Sequence, residues 1–303
     1  MTNRISVTVP ATTANLGPGL DCLGLALTLY NRVVFEETSA GLTVSVNGEG
    51  KGIIPEDETN LVVQAAERVF HLTGRRPDGL RVVQENFIPV SSGLGSSAAA
   101  VLGGILAANG MVGEPLDREE LLALAIGIEG HPDNVTPALF GGLTLVVDDD
   151  GKIIVTPIPI PEMRVAVVMP EFNLTTAEAR AALPAEVPLA DAIYNAGRVG
   201  LLVRALETGD YDALRVATQD RLHQPYRLPL ISGLADVFEA GRAAGAAAVA
   251  LSGAGPSIIA FAPAGHQEIV QAMREAFTAA GLKSRSWLLS ISHEYPVIAK
   301  LED

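Results

Sequence analysis

The segment IPVSSGLGSSAAA, Ile88 to Ala100, joins a β-like run to an alanine-rich run that favours helix. Gly93, Gly95 and four serines stand where that helix begins. A helix N-terminus carries unpaired N–H groups and about half a positive charge. Glycines just ahead of it let the backbone approach a ligand with no Cβ in the way. The hydroxyls of Ser96 and Ser97 add oxygen ligands for phosphate or a metal ion. Together these residues make an anion-binding nest suited to the phosphates of a nucleotide. A tight turn leading into a core helix is the competing reading of the same residues. The segment is not a Walker A loop, because no Gly-Lys in the chain is followed by Ser or Thr. Nor is it a dinucleotide fingerprint, because G-x-G-x-x-G fails after Gly95.

The surrounding chain makes such a local device necessary for any anionic ligand. It has 303 residues, enough for one large or two ordinary domains, with 48% apolar and 18% charged residues. Net charge is −14 and no Lys/Arg cluster is present, which argues against nucleic-acid and anionic-membrane partners. Cys22 is the single cysteine, so no disulfide within the chain and no thiolate metal cluster can form. The opening MTNRISVTVPATTANLG lacks the apolar core of a signal peptide, and no run of about 18 apolar residues occurs. The expectation is a soluble cytoplasmic protein.

Periodicity predicts a strand at Ile5–Val9 and strand-rich sequence through residue 50, then a helix over Thr59–Gly74. GLRVVQENFIPV reads as a strand, and SSAAAVLGGILAANGMVG as a buried helix. Asp117 is positioned to cap a helix over LDREELLALAIGIEG, and a hairpin is expected around Asp150-Gly151. Beyond residue 160 the pattern predicts a buried strand MRVAVVMPE and helices over 189–207, 210–221 and 266–280. A strand, glycine turn and strand are expected in GAAAVALSGAGPSIIAFAP, with a last strand near 285–291. The class is α+β in two units, 1–160 and 161–303, the second built on an antiparallel sheet.

Three stretches carry a family resemblance. PVSSGLGSSAA, from Pro89 to Ala99, fits P-x-x-x-G-L-G-S-S-A-A and resembles the ATP-binding motif of the GHMP kinases. VTVPATTANLGPGLDCLGLAL and LSGAGPSIIAF resemble that family's N-terminal motif and C-terminal glycine loop, in the family's order. PATTANLGPGLDCLGLAL and EGHPDNVTPALFGGLTL are similar to the homoserine-phosphorylating branch. The resemblance implies a two-domain GHMP kinase fold with an N-terminal ATP-loop domain and a C-terminal ferredoxin-like domain. It implies ATP-dependent phosphorylation of the side-chain hydroxyl of L-homoserine, with Mg2+, in the cleft between domains of a homodimer. Another small-alcohol kinase of the family, such as a mevalonate-type enzyme, and a non-catalytic metabolite sensor are the alternatives.

The resemblance assigns roles residue by residue. Pro89, Val90, Ser91, Ser92, Gly93, Leu94, Gly95, Ser96, Ser97, Ala98 and Ala99 form the ATP cradle, with Ser252, Gly253 and Gly255 as a second backbone cradle. Asn60 falls near the adenine and equally suits a helix cap. Glu129 and Ser97 match the metal ligands, although Glu129 lies only five residues before Asn134, closer than in many relatives. Asn15 and Asp21 contact the amino acid, Asp21 suiting its ammonium, while Arg180 and Arg227 grip the carboxylate. Thr176 lies near the phosphate. Asn134 positions the hydroxyl, Asp133 is an alternative base, and the γ-phosphate is a third destination for the proton. His131 has no partners at a zinc spacing and reads as structural.

Overall fold

A computed structural model describes residues 3–301. Its first sheet runs in the order β11-β1-β2-β4-β3, with β5 and β6 added beside β2. β1 (Arg4–Asn15) and β2 (Gly19–Thr38) pair antiparallel along most of their length. β3 (Gly41–Gly48) and β4 (Gly79–Asn86) are parallel, linked through α1 (Leu61–Thr73). Helix α1 is bounded as its sequence demands: Asn60 accepts the Val62 N–H at its start, and Gly74 adopts a left-handed C-cap.

Residues Phe87 and Ile88 do not extend β4 as the continuous strand reading expects. Their N–H groups donate instead to Asn31 Oδ1 at 2.8 and 2.9 Å, and the chain peels away into the glycine-serine loop. Helix α2 (Ser96–Met111) follows, apolar on nearly every side and buried against β1, β2 and α1. Then come α3 (Arg118–Glu129), whose Asp117 and Glu120 form a reciprocal capping box, and α4 (Pro132–Phe140). β5 (Leu143–Asp149) and β6 (Lys152–Ile158) close the expected hairpin, with Asp150 and Gly151 both at positive φ.

The second sheet is antiparallel in the order β10-β7-β9-β8. β7 (Arg164–Pro170) alternates: Val165 and Val167 join the core shared with the first unit, Ala166 and Val168 the second unit's own core. Helices α5 (Thr176–Ala181), α6 (Leu189–Thr208), α7 (Tyr211–Ala217), α8 (Gln224–Arg227) and α9 (Leu234–Ala243) precede β8 (Ala248–Leu251) and β9 (Ile258–Phe261). α10 (His266–Ala279), β10 (Ser284–Ser290) and β11 (Val297–Lys300) complete the chain.

The helix expected over 210–221 stops at Ala217. Asp220 takes the N–H groups of Leu222, His223 and Gln224 at 2.8, 3.0 and 2.6 Å, an alternative to continuing the helix. The expected division at residue 160 also needs amendment at its far end. β11 crosses back and pairs with β1, so residues 297–300 belong to the first sheet.

Gly24 sets the seat of α4 on β2. A Cβ there would collide with the Asp133 carbonyl oxygen and the Pro137 ring. Gly24→Ala is expected to cost about 1–3 kcal/mol by overpacking, read from denaturant unfolding, and to displace the first turn of α4.

Candidate active site

One cleft of about 560 Å3 lies between the two units. The glycine-serine loop forms its floor. Ser91, Gly93 and Gly95 all have positive φ, at 52°, 77° and 70°. Cβ atoms on Gly93 and Gly95 would strike the Ser252 carbonyl oxygen and Thr12 Oγ1 respectively, so both glycines are required by close approach as well as by φ. The loop is tied to β1 by Thr12 N–H donating to Leu94 O at 3.1 Å. Ser252 Oγ donates to Gly93 O at 2.7 Å, and Ser257 N–H to Ser92 O at 3.1 Å, so the second unit holds the loop as well. Gly95 is the N-cap of α2 and brings no side-chain cap, so the first N–H groups of that helix face the cleft with their partial positive charge.

Val90, Ser91, Ser92, Gly93, Gly95, Ser96 and Ser97 line the cleft, as do Gly253 and Gly255 opposite. Pro89, Leu94, Ala98, Ala99 and Ser252 do not. Leu94, Ala98 and Ala99 are fully buried core side chains that seat the loop from beneath, and Ser252 contributes through its bond to Gly93. Ile54, Pro55, Leu61 and Val62 give one wall an apolar character beside Asn60. Asn60 is fully buried and serves as a cap: Oδ1 accepts from Val62 N–H and Gln84 Nε2, and Nδ2 donates to Pro55 O.

Glu129, the last residue of α3, reaches back to the start of α2 and accepts the Ser97 hydroxyl at 2.5 Å. Its short separation from Asn134 in sequence therefore does not prevent the contact with Ser97. Burial pushes the Glu129 carboxyl above its ordinary value, and the Ser97 hydrogen bond pulls it back. A hard cation shared with phosphate oxygens fits this donor set of one carboxylate and one hydroxyl beside a helix N-terminus.

The opposite end of the cleft carries concentrated charge. Arg180 of α5 grips Asp21 through two bonds, Nη1 to Oδ2 at 3.1 Å and Nη2 to Oδ1 at 2.7 Å. The two residues expected to meet opposite ends of an amino acid thus pair with each other across the domain boundary. Asp21 and Asn15 have φ of 58° and 69°, and the Asn15 carboxamide fixes the turn between them. Asn15 Oδ1 accepts the Asp21 N–H at 2.9 Å, and Nδ2 donates to Gly253 O at 2.8 Å.

Asp133 opens the first turn of α4 and is 4% exposed. Burial, reinforced by the nearby Asp21 charge, raises its carboxyl from an ordinary 3.8 to about 6. Asn134 beside it accepts the Thr12 hydroxyl at 2.8 Å and donates to Asp133 Oδ1 at 3.3 Å. His131, the N-cap of α4, also lines the cleft, its pKa lowered by burial and by Arg180. Thr176 begins α5 and is exposed on the rim. Arg227 is almost completely buried, with Nε donating to Ala179 O at 3.3 Å and Nη1 to Gly253 O at 3.2 Å.

Some participants were not expected. Asn31, Gln84 and Asn86 line the cleft, and Thr12 braces both the loop and Asn134. Thr12 stands inside the PATTANLG stretch, but its partner is 122 residues away. Burial, then the charges of Asp133 and Asp21, push the Cys22 thiol up to about 11. No helix among the described residues is long and apolar enough to cross a membrane.

Comparison with known proteins followed the same division. The description "GHMP kinases N terminal domain" matches residues 60–142, and "GHMP kinases C terminal" matches residues 202–279. The homoserine kinase of Moorella thermoacetica is 48% identical over 91% of this chain and 94% of its own length. That of Carboxydothermus hydrogenoformans is 44% identical over 92% of each. Among solved structures, homoserine kinase from Cytophaga hutchinsonii superposes with a TM-score of 0.89 at 32% identity over 98% of both chains. The mevalonate kinase of L. major, at 20% identity and a TM-score of 0.70, covers 96% of this chain and 95% of its own and shares the fold.

Thr12→Val would take the hydroxyl donor away from the half-buried Asn134 carbonyl oxygen. The expected loss is about 0.5–1.5 kcal/mol in denaturant unfolding. Thr12→Ser, which retains the hydroxyl, should lose less.

Proposed function

We infer the function from one premise: the chain belongs to the GHMP kinase family and, within it, to the homoserine kinases. It transfers the γ-phosphoryl group of ATP to the side-chain hydroxyl of L-homoserine, yielding O-phospho-L-homoserine on the route to threonine. The observation that carries this reading is a single cleft with an uncapped helix N-terminus behind a glycine loop at one end. At the other end stand an acid and two arginines.

Phosphoryl transfer asks the protein mainly for position and for charge compensation. The N–H groups at the start of α2 would receive the β- and γ-phosphates, which a chain of net charge −14 cannot attract through its overall field. The apolar wall of Ile54, Pro55, Leu61 and Val62 suits the base. Glu129 and Ser97 would hold Mg2+, and when bound the ion would neutralise charge on the transferring phosphoryl group. Thr176 at the N-terminus of α5 would meet the phosphate from the opposite rim.

At the substrate end, Arg227 grips the carboxylate. Asp21 takes the ammonium, with Arg180 exchanging part of its hold on Asp21 for the carboxylate as the amino acid enters. A zwitterion suits an ion pair of this kind, because each end finds an opposite charge already present. Asn15 acts on the substrate indirectly by holding Asp21 in place. Asn134 orients the hydroxyl, and Asp133 receives its proton. A carboxyl near 6 is ionised at neutral pH yet basic enough to help, the balance a general base needs. The reading includes a homodimer, for which the exposed Leu189, Ile193 and Leu201 of α6 offer apolar surface, and a cytoplasmic location.

The test is ADP release with Mg·ATP and a panel of L-homoserine, D-homoserine, L-serine, L-threonine, mevalonate and galactose. Selective turnover of L-homoserine is expected, and selective turnover of mevalonate or galactose would refute the substrate assignment. Asp133→Asn should lower kcat by roughly a hundredfold or more. A rate close to wild type would send the proton to the γ-phosphate instead.

The pH profile follows from the raised carboxyl. The active form is the carboxylate, so kcat/KM should climb as pH rises through about 6 and level off above it. The stability sign is opposite. Between 3.8 and about 6 the folded protein binds more protons than the unfolded chain, so this group's contribution falls as pH rises. Asp133→Asn should therefore melt no lower than wild type at pH 7 while losing activity.

A further inference from the structure

Arg227 grips nothing unless its guanidinium is aimed, and the groups that aim it form a polar cluster outside the cleft. His223 is completely buried, one helical turn before Arg227. Its Nε2 lies 2.6 Å from Gly17 O, and its Nδ1 lies 3.2 Å from Arg227 Nη1. A carbonyl oxygen can only accept and a guanidinium can only donate. The imidazole is therefore the neutral Nε2–H tautomer, with a bare Nδ1 turned toward the arginine.

This ring is itself held. Asp220, whose side chain is fully buried, binds the N–H groups of residues 222–224 and the Asn195 amide, and lies 3.6 Å from His223 Nε2. Asn195 Oδ1 in turn accepts the Arg221 N–H. Gly17 stands four residues before Asp21, so the same ring connects the turn that carries the ammonium acceptor to the helix that carries the carboxylate donor. With Nε and Nη1 of Arg227 engaged by Ala179 O, Gly253 O and His223, no hydrogen bond among the described residues engages Nη2. That edge remains for a ligand in the cleft that Arg227 lines.

We propose that His223 is a positioning residue that holds Arg227 for the substrate carboxylate through Nδ1, and so sets the enzyme's preference for an amino acid over the corresponding amino alcohol. The proposal rests on the reading of Arg227 as the carboxylate group. It also explains why a neutral acceptor occupies this position: an imidazolium would place two cations in contact, and burial lowers the His223 pKa, with Arg227 adding to the effect against Asp220.

The test compares kcat/KM for L-homoserine with that for 3-aminopropan-1-ol, which lacks only the carboxylate. His223→Asn presents a carbonyl oxygen near the place of Nδ1, whereas His223→Gln presents an N–H near the place of Nε2 and loses the acceptor for Arg227. His223→Gln should raise KM for L-homoserine roughly tenfold to a hundredfold and reduce the selectivity ratio in proportion, with KM for ATP little changed. His223→Asn should retain most of both. Equal behaviour of the two variants, or wild-type selectivity in His223→Gln, overturns the proposal. Arg227→Met separates this from the reading beneath it: if selectivity survives that change, Arg227 does not bind the carboxylate. Should the variants fail to fold, 15N spectra of the histidine-labelled wild-type enzyme decide. A protonated Nε2 and a bare Nδ1 whose resonance moves on L-homoserine binding support the proposal; an Nδ1–H tautomer or an unmoved resonance refutes it.

Discussion

The seating of residues 92–95 between β1 and the loop after β8 is the constraint on which the rest of the structure depends. Three hydrogen bonds, from Thr12 N–H, Ser252 Oγ and Ser257 N–H, consume carbonyl groups of this loop from both units. Leu94 N–H turns back to Ser92 Oγ at 3.2 Å, while Gly93, Gly95 and the first residues of α2, Ser96 and Ser97, line the cleft. This arrangement only closes if Gly93 and Gly95 lack side chains, because a Cβ at either would meet the groups that hold it. Two of these bonds, from Ser252 and Ser257, join the two units, so glycine loop and domain junction are one piece of structure. Thr12 extends the coupling to Asn134, and Ser97 extends it to Glu129.

The electrostatics follow from placing these parts together in an acidic chain. Overall charge repels anions, so an anion needs short-range donors, and the cleft offers a helix terminus, Arg180 and Arg227. Each of these stands near a carboxylate that would be costly to bury alone. Glu129 leans on Ser97, Asp21 pairs with Arg180, and Asp133 is left with an amide neighbour and a raised pKa. Asp133, raised by burial and by the Asp21 charge, is the one proposed to move a proton. Catalytic fitness and folding stability pull in opposite directions at that residue.

Much of this was legible in the sequence, for reasons that differ by residue. The glycine-serine loop, the Asp117 cap and the Asp150-Gly151 turn are local devices whose residue types carry their own conformational meaning. α4 was not legible because Pro132 and Pro137 read as breakers, although the first sits at a helix start. β11 is a four-residue strand that gains its identity only by pairing with the far end of the chain. Asn31, Thr12 and His223 are ordinary polar residues until tertiary structure brings their partners 56, 122 and 206 residues away. The Asp21–Arg180 pair shows the same limit. Sequence similarity assigns each a ligand group, but only the fold reveals that they bind each other across 159 positions.

The central claim is that one cleft presents a nucleotide's phosphates and an amino acid's hydroxyl to each other. A crystal structure with Mg2+, a non-hydrolysable ATP analogue and L-homoserine tests it most directly. The account predicts β- and γ-phosphates on the N–H groups at the start of α2, the metal on Glu129 and Ser97, and the carboxylate on Arg227. It also predicts the hydroxyl beside Asp133 and Asn134, in line with the γ-phosphorus. Phosphates bound away from the glycine loop, or an amino acid seated with its hydroxyl turned from them, would contradict it.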